Sequence, residues 1–154
     1  MYKILVDLDV LTLAFWKGDK KDIAIDFLER IKKEEFIVIT PYSLIELINN
    51  WNDKSLAKKI VEFYFDYSAN ILSKIEILKL IDRKKINEQK IIYELEKIGI
   101  KSEDSVLILL SSIFNVDYLI TFNRKHLKNN KDKINIILKK NDLKTIKIAE
   151  PNEI

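Results

Sequence analysis

The sequence contains no cysteine, one histidine, two glycines and two prolines, and each shortage removes a class of chemistry. Without cysteine there is no disulfide, no thiolate nucleophile and no cysteine-bound zinc. A single histidine, His126, excludes multi-histidine metal centres and leaves a Ser-His-Asp triad without support. With so little glycine, neither GxGxxG nor GxxxxGK[ST] occurs, so the usual phosphate-cradling loops are excluded. No run of about eighteen apolar residues is present to span a membrane. The first apolar run, Ile4-Leu5-Val6, meets Asp7 after three residues, too soon for a signal peptide, so a cytoplasmic location is expected. What remains for chemistry is carboxylates.

The 154 residues suit one domain spanning 1–154, and 47% hydrophobic with 33% charged residues describe a folded chain. Twenty-seven basic against 24 acidic residues give a net charge of +3, a mildly basic balance that suits a phosphate-rich partner. Ile4-Leu5-Val6 reads as a central strand buried on both faces. Asp19 can cap a helix over about 20–34. Phe36–Ile39 reads as a second strand, and Thr40-Pro41 supplies an N-cap and N1 proline for a helix over about 42–51. A helix over about 55–69 and a strand at Ile75–Leu78 follow. Helices are expected over about 83–98, closed by Gly99, and over 103–114, capped by Ser102. Tyr118–Thr121 reads as a strand, a short helix lies near 124–128, and 134–140 reads as helix. Thr145–Ile148 is the last strand, stopped by Pro151. Alternating strands and helices predict a three-layer α/β/α fold around a mostly parallel sheet of about 4–5 strands.

In such sheets ligands bind at the carboxyl ends of the strands. Asp7 ends the first strand and abuts a wholly apolar run, where an unpaired carboxylate is costly. If the chain stays extended, Asp9 points the same way. Glu46 follows the second strand on its helix, among Tyr42, Ser43, Asn49 and Asn50. Asp104 opens a helix that is apolar all round from Val106 to Leu110, so it needs a partner. Thr121 and Asn123 stand just beyond the strand 118–120. Asp117 precedes that strand and belongs at the opposite edge of the sheet. His126 reads as a surface or packing residue.

The order Ile4-Leu5-Val6-Asp7-Leu8-Asp9-Val10-Leu11, Ser43-Leu44-Ile45-Glu46-Leu47, Asp104-Ser105-Val106-Leu107-Ile108 and Asp117-Tyr118-Leu119-Ile120-Thr121-Phe122-Asn123 resembles the PIN-domain family over nearly the whole chain. The resemblance implies a metal-dependent nuclease, and many small members are the ribonuclease toxins of VapBC-type toxin–antitoxin pairs. It makes Asp7, Glu46 and Asp104 the first three acids. Asn123 falls where many relatives carry a fourth, with Asp7, Asp104 and Asn123 as metal ligands and Asp9 and Thr121 in support. Gathered carboxylates repel one another unless a cation intervenes, and oxygen-only ligands select Mg²⁺ or Mn²⁺. RNA as substrate, a cognate antitoxin and a homodimer are the implied partners. The aromatic residues Trp51, Phe63, Tyr64, Phe65 and Tyr67 offer surface for such contacts.

Two other readings compete. Asp7-Leu8-Asp9 resembles the DxD signature of haloacid-dehalogenase-like phosphatases, with Asp7 as nucleophile, Asp9 as general acid and Thr40 as the phosphate-binding hydroxyl. A domain that binds RNA or protein without cutting is the third, kept open by the neutral Asn123.

Overall fold

The computed structural model describes residues 1–154. Its first strand, β1 (Tyr2–Val6), buries Ile4, Leu5 and Val6 almost completely. It is the centre of a five-stranded sheet in which every pairing is parallel. The other strands are β2 (Phe36–Pro41), β3 (Ser68–Leu72), β4 (Tyr118–Ile120) and β5 (Lys147–Ala149), in the order β3-β2-β1-β4-β5. Ile4 is opposite Val38 on one side and Tyr118 on the other, and Val6 is opposite Ile120.

The chain therefore builds outward from β1 in one direction, then returns and builds outward in the other. Helices α1 (Leu8–Phe15), α2 (Lys21–Lys32), α3 (Tyr42–Asn49) and α4 (Lys54–Tyr67) make the first two crossovers; α1 packs on α2 and α4, and α3 on α4. Helices α5 (Lys74–Arg83), α6 (Glu88–Lys97), α7 (Ser102–Ile113) and α8 (Lys131–Lys140) make the others, with α6 packed on α7 and α8. Right-handed crossovers put the two sets on opposite faces. The three-layer α/β/α fold expected from the sequence is what forms. Forty buried apolar residues make one continuous core. No helix is long and apolar enough to cross a membrane.

Several local expectations change. The chain does not stay extended after β1: Asp7 Oδ1 accepts from Leu8 N at 2.8 Å and caps α1, with Asp9 in its first turn. The expected strand at Ile75–Leu78 is helix α5, because Ile77, Leu80 and Ile81 form a helical stripe against the core and Ser73 caps the helix through Glu76 N. The third strand is instead Ser68–Leu72, an edge strand too exposed to show a buried pattern. The segment 83–98 is broken, with Lys85 in the left-handed region (φ 53°) and Asn87 capping α6. Gly99 closes that helix at φ 94°, as expected. Lys20 rather than Asp19 precedes α2, Pro41 rather than Thr40 precedes α3, and Lys101 rather than Ser102 precedes α7. The short helix expected at 124–128 is a single 3₁₀ turn, Lys128–Asn130.

Candidate active site

The strand order reverses between β1 and β4, and at such a switch point the carboxyl ends of neighbouring strands open a crevice. Asp7 N continues the β1–β4 ladder to Ile120 O at 2.9 Å. This sets Asp7 beside Thr121, the next residue of the adjacent strand. Thr121, almost wholly buried, is the hub. Its hydroxyl lies 2.9 Å from Asp7 Oδ2 and 3.2 Å from Asp9 Oδ2, and it accepts from Asn123 N at 3.1 Å. A threonine has one hydroxyl proton, so two carboxylates share one donor. Phe122 N donates to the same Asp9 oxygen at 3.0 Å, whereas Asp9 Oδ1 is buried with no partner.

Asp7 and Asp104 line one cavity of about 230 Å³, whose walls include Leu8, Ser43, Leu47 and Leu107. Asp104 reaches it from the first turn of α7. Asn123 Nδ2 lies 3.4 Å from Asp104 Oδ2, while its Oδ1 accepts from His126 N at 3.0 Å. The Asn123 oxygen expected as a metal ligand thus accepts one local hydrogen bond and keeps a second lone pair, while its nitrogen faces Asp104. Glu46 is not brought into this cavity. It is exposed and borders an adjoining groove with Lys74 and Glu88; the two spaces share Ser43, Val106 and Leu110.

The electrostatics are those of acids held together at a cost. Burial, then the Asp9 charge, raises the Asp7 carboxyl to about 7, with Asp104 adding to the rise against the Thr121 hydrogen bond. Burial likewise lifts Asp9 to about 6 despite the hydrogen bonds from Phe122 and Thr121. Burial raises Asp104 too, opposed by positive charge on His126 and Lys101. None of the three has a lysine or arginine within ion-pair distance. The chain is not short of cations. Glu150, just after β5 and less exposed than any of the three, is held by Lys20 at 3.0 Å, Arg124 at 2.7 Å and Lys128 at 3.1 Å, and its carboxyl falls to about 2.

No group of three or more histidine, aspartate or glutamate side chains is placed so that it could hold a metal ion. The residues nevertheless fit a magnesium-type ion, which keeps several waters and is commonly held by only one or two carboxylates. Asp7 and Asp104 would be those carboxylates, with the orphaned Asp9 oxygen behind them.

Two residues at the site escaped the sequence reading. The Tyr64 hydroxyl, buried in α4, donates to Val6 O at 2.9 Å and fixes the backbone just before Asp7. Nothing in the spacing signals a contact across 58 residues. His126 stands close enough to act on Asp104, and its place in the run Asn123–His126 was the available clue. Thr40, the hydroxyl required by the phosphatase reading, is buried and bonded to Ser68 Oγ at 2.7 Å. Of the aromatic residues, Phe63 and Tyr64 are core, Trp51 is half-buried, and Phe65 and Tyr67 are exposed. Comparison with family models, with curated proteins and with solved structures finds no match to the chain.

Proposed function

We propose that the chain is a Mg²⁺- or Mn²⁺-dependent endoribonuclease whose site is the cavity shared by Asp7 and Asp104. The carrying observation is that these half-buried carboxylates, with Asp9, have no lysine or arginine in ion-pair contact, while Glu150 at the same edge has three such partners. A hard divalent cation is the remaining way to stabilise them. Its position at the switch point of a parallel sheet supports a ligand site, and the ordered resemblance to PIN domains supports RNA as the ligand.

When bound, the cation supplies an activated water and neutralises charge on the phosphodiester. In this reading Asp7 and Asp104 hold it, Thr121 and Asn123 fix their orientation, and Tyr64 holds the β1–α1 junction. Ser43 and Leu47 border the space left for the substrate. Water attacks phosphorus in line, the bond to the 3′ oxygen breaks, and the products carry a 5′-phosphate and a 3′-hydroxyl. Glu46, one turn beyond Ser43, borders the adjoining groove rather than the cavity of Asp7 and Asp104. The toxin role, with an antitoxin offering a basic side chain to the acids and a second copy meeting the exposed Phe65 and Tyr67, belongs to the same proposal.

The test is cleavage of end-labelled RNA by the wild type and by Asp7→Asn. Loss of a direct ligand should lower the rate at least about a hundredfold, equivalent to nearly 3 kcal/mol of transition-state stabilisation, and a chelator should abolish it. Equal cleavage by both proteins would refute the assignment.

A further inference from the structure

A cleft of about 650 Å³ opens at the edge of the sheet opposite the acids, where α7 and α8 end before β4 and β5 begin. Five lysines line it, Lys84, Lys85, Lys90, Lys140 and Lys144, with three asparagines and Asp142 as the only acid. All five lysines are exposed. Part of this charge answers to the fold. Helices α5, α7 and α8 all end here on left-handed residues, Lys85, Asn115 and Asp142. Their bonds Ile86 N to Ile81 O, Val116 N to Ser111 O and Leu143 N to Leu138 O close three similar C-terminal turns. Each helix end presents about half a negative charge.

Two lysines serve those ends. Lys84 Nζ donates to Ile113 O at 3.2 Å, and Lys144 Nζ to Asn115 O at 3.1 Å with Asp117 alongside at 3.4 Å. Helix capping does not account for the other three. Lys90 and Lys140 share the single carboxylate of Glu94 at 3.9 and 3.6 Å, and Lys85 has no partner.

We propose that this cleft binds phosphate groups of an RNA backbone, with Lys85, Lys90 and Lys140 as the contacts; choosing RNA rests on the ribonuclease reading. Ammonium groups suit phosphate as point charges. The lining holds no aromatic ring on which a base could stack, so recognition is of the backbone and independent of sequence. The acidic edge repels phosphate in the absence of a cation, so a separate basic contact lets the RNA associate before the reacting bond is placed.

The test measures binding of a fluorescein-labelled single-stranded RNA of about 20 nucleotides between about 50 and 300 mM salt. The protein carries Asp7→Asn and the buffer a chelator, so cleavage does not enter. Each lost phosphate contact should reduce the slope of log affinity against log salt by about 0.7. Lys85→Gln/Lys90→Gln/Lys140→Gln should therefore lower it by about 2. Lys17→Gln/Lys33→Gln/Lys58→Gln, with the same change in net charge, should leave it nearly unchanged. Equal slopes for the two triple variants would overturn the proposal. So would pyrophosphate binding that is lost in the cleft triple variant while the RNA slope is unmoved, which would make it a small-anion site. A slope that depends on the three lysines in a protein that cuts nothing keeps this site and removes the nuclease reading; an active nuclease whose slope ignores them does the reverse.

Discussion

One hydroxyl proton stands between two buried carboxylates, and Thr121 therefore sets the balance of the acidic cavity. The hydroxyl bond lowers both acids against the rise that burial imposes. Thr121→Val keeps the side-chain shape and deletes that donor. It should cost about 1–3 kcal/mol of stability and weaken Mn²⁺ binding about 10- to 100-fold, as loss of a ligand-orienting partner does. Chemical denaturation and Mn²⁺ titration check the two effects separately, and an unchanged affinity would remove Thr121 from the site. Asp7 was legible in the sequence because a carboxylate directly follows a fully apolar strand. Glu46 was placed less well: on a helix, three residues are about 4.5 Å of rise, and the sequence does not say which turn faces the cavity. Ser43 faces it and Glu46 lies one turn beyond.

Among the elements, those with buried faces were readable and those with exposed ones were not. The strands β1, β2 and β4 and the helix α7 announce themselves by continuous apolar runs. Edge strand β3, with residues of the pattern SANIL, carries no such signal. The first turns of helix α5 contain Ile75-Glu76-Ile77-Leu78, which mimics strand alternation until Leu80 and Ile81 complete the helical stripe. Helix α1 was missed because its N-cap is the acid that ends β1, so one residue does two jobs. The energetics differ in the same way. Helix α5 buries no residue fully, whereas α7 buries Ser105 and the whole run from Leu107 to Ile113. Amide exchange in α5 should report local opening well below the global unfolding free energy, while α7 exchanges only with the whole protein. Equal protection of the two helices would contradict this account of the packing.

For the whole molecule, the carboxyl edge of the sheet holds both the acids without an ion-pair partner and Glu150 with its three cations, while the opposite edge carries the lysine cleft. The acids make stability depend on pH and cation together. Asp7 and Asp9 hold protons in the folded state up to about 7 and about 6, against 3.8 in the unfolded chain. Between about pH 4 and 7 the folded protein therefore binds more protons, and its stability falls as pH rises through that window. Glu150 acts oppositely: its stabilisation is present above about 4.5 and is lost as pH falls towards 2. In chelator, thermal unfolding should thus peak near pH 4 and decline to pH 8, by roughly 2–4 °C for each kcal/mol involved. Saturating Mg²⁺ should recover the loss at pH 8, since a ligand of the folded state stabilises it. A melting temperature that climbs steadily to pH 8 in chelator would show the acids to be unstrained. The most direct measurement is titration of Mn²⁺ into the protein at pH 7.5, followed by water-proton relaxation. The account predicts saturable binding by the wild type, displaced by Mg²⁺ and lost in both Asp7→Asn and Asp104→Asn. Absence of binding by the folded wild type, or binding that both variants retain, would contradict it.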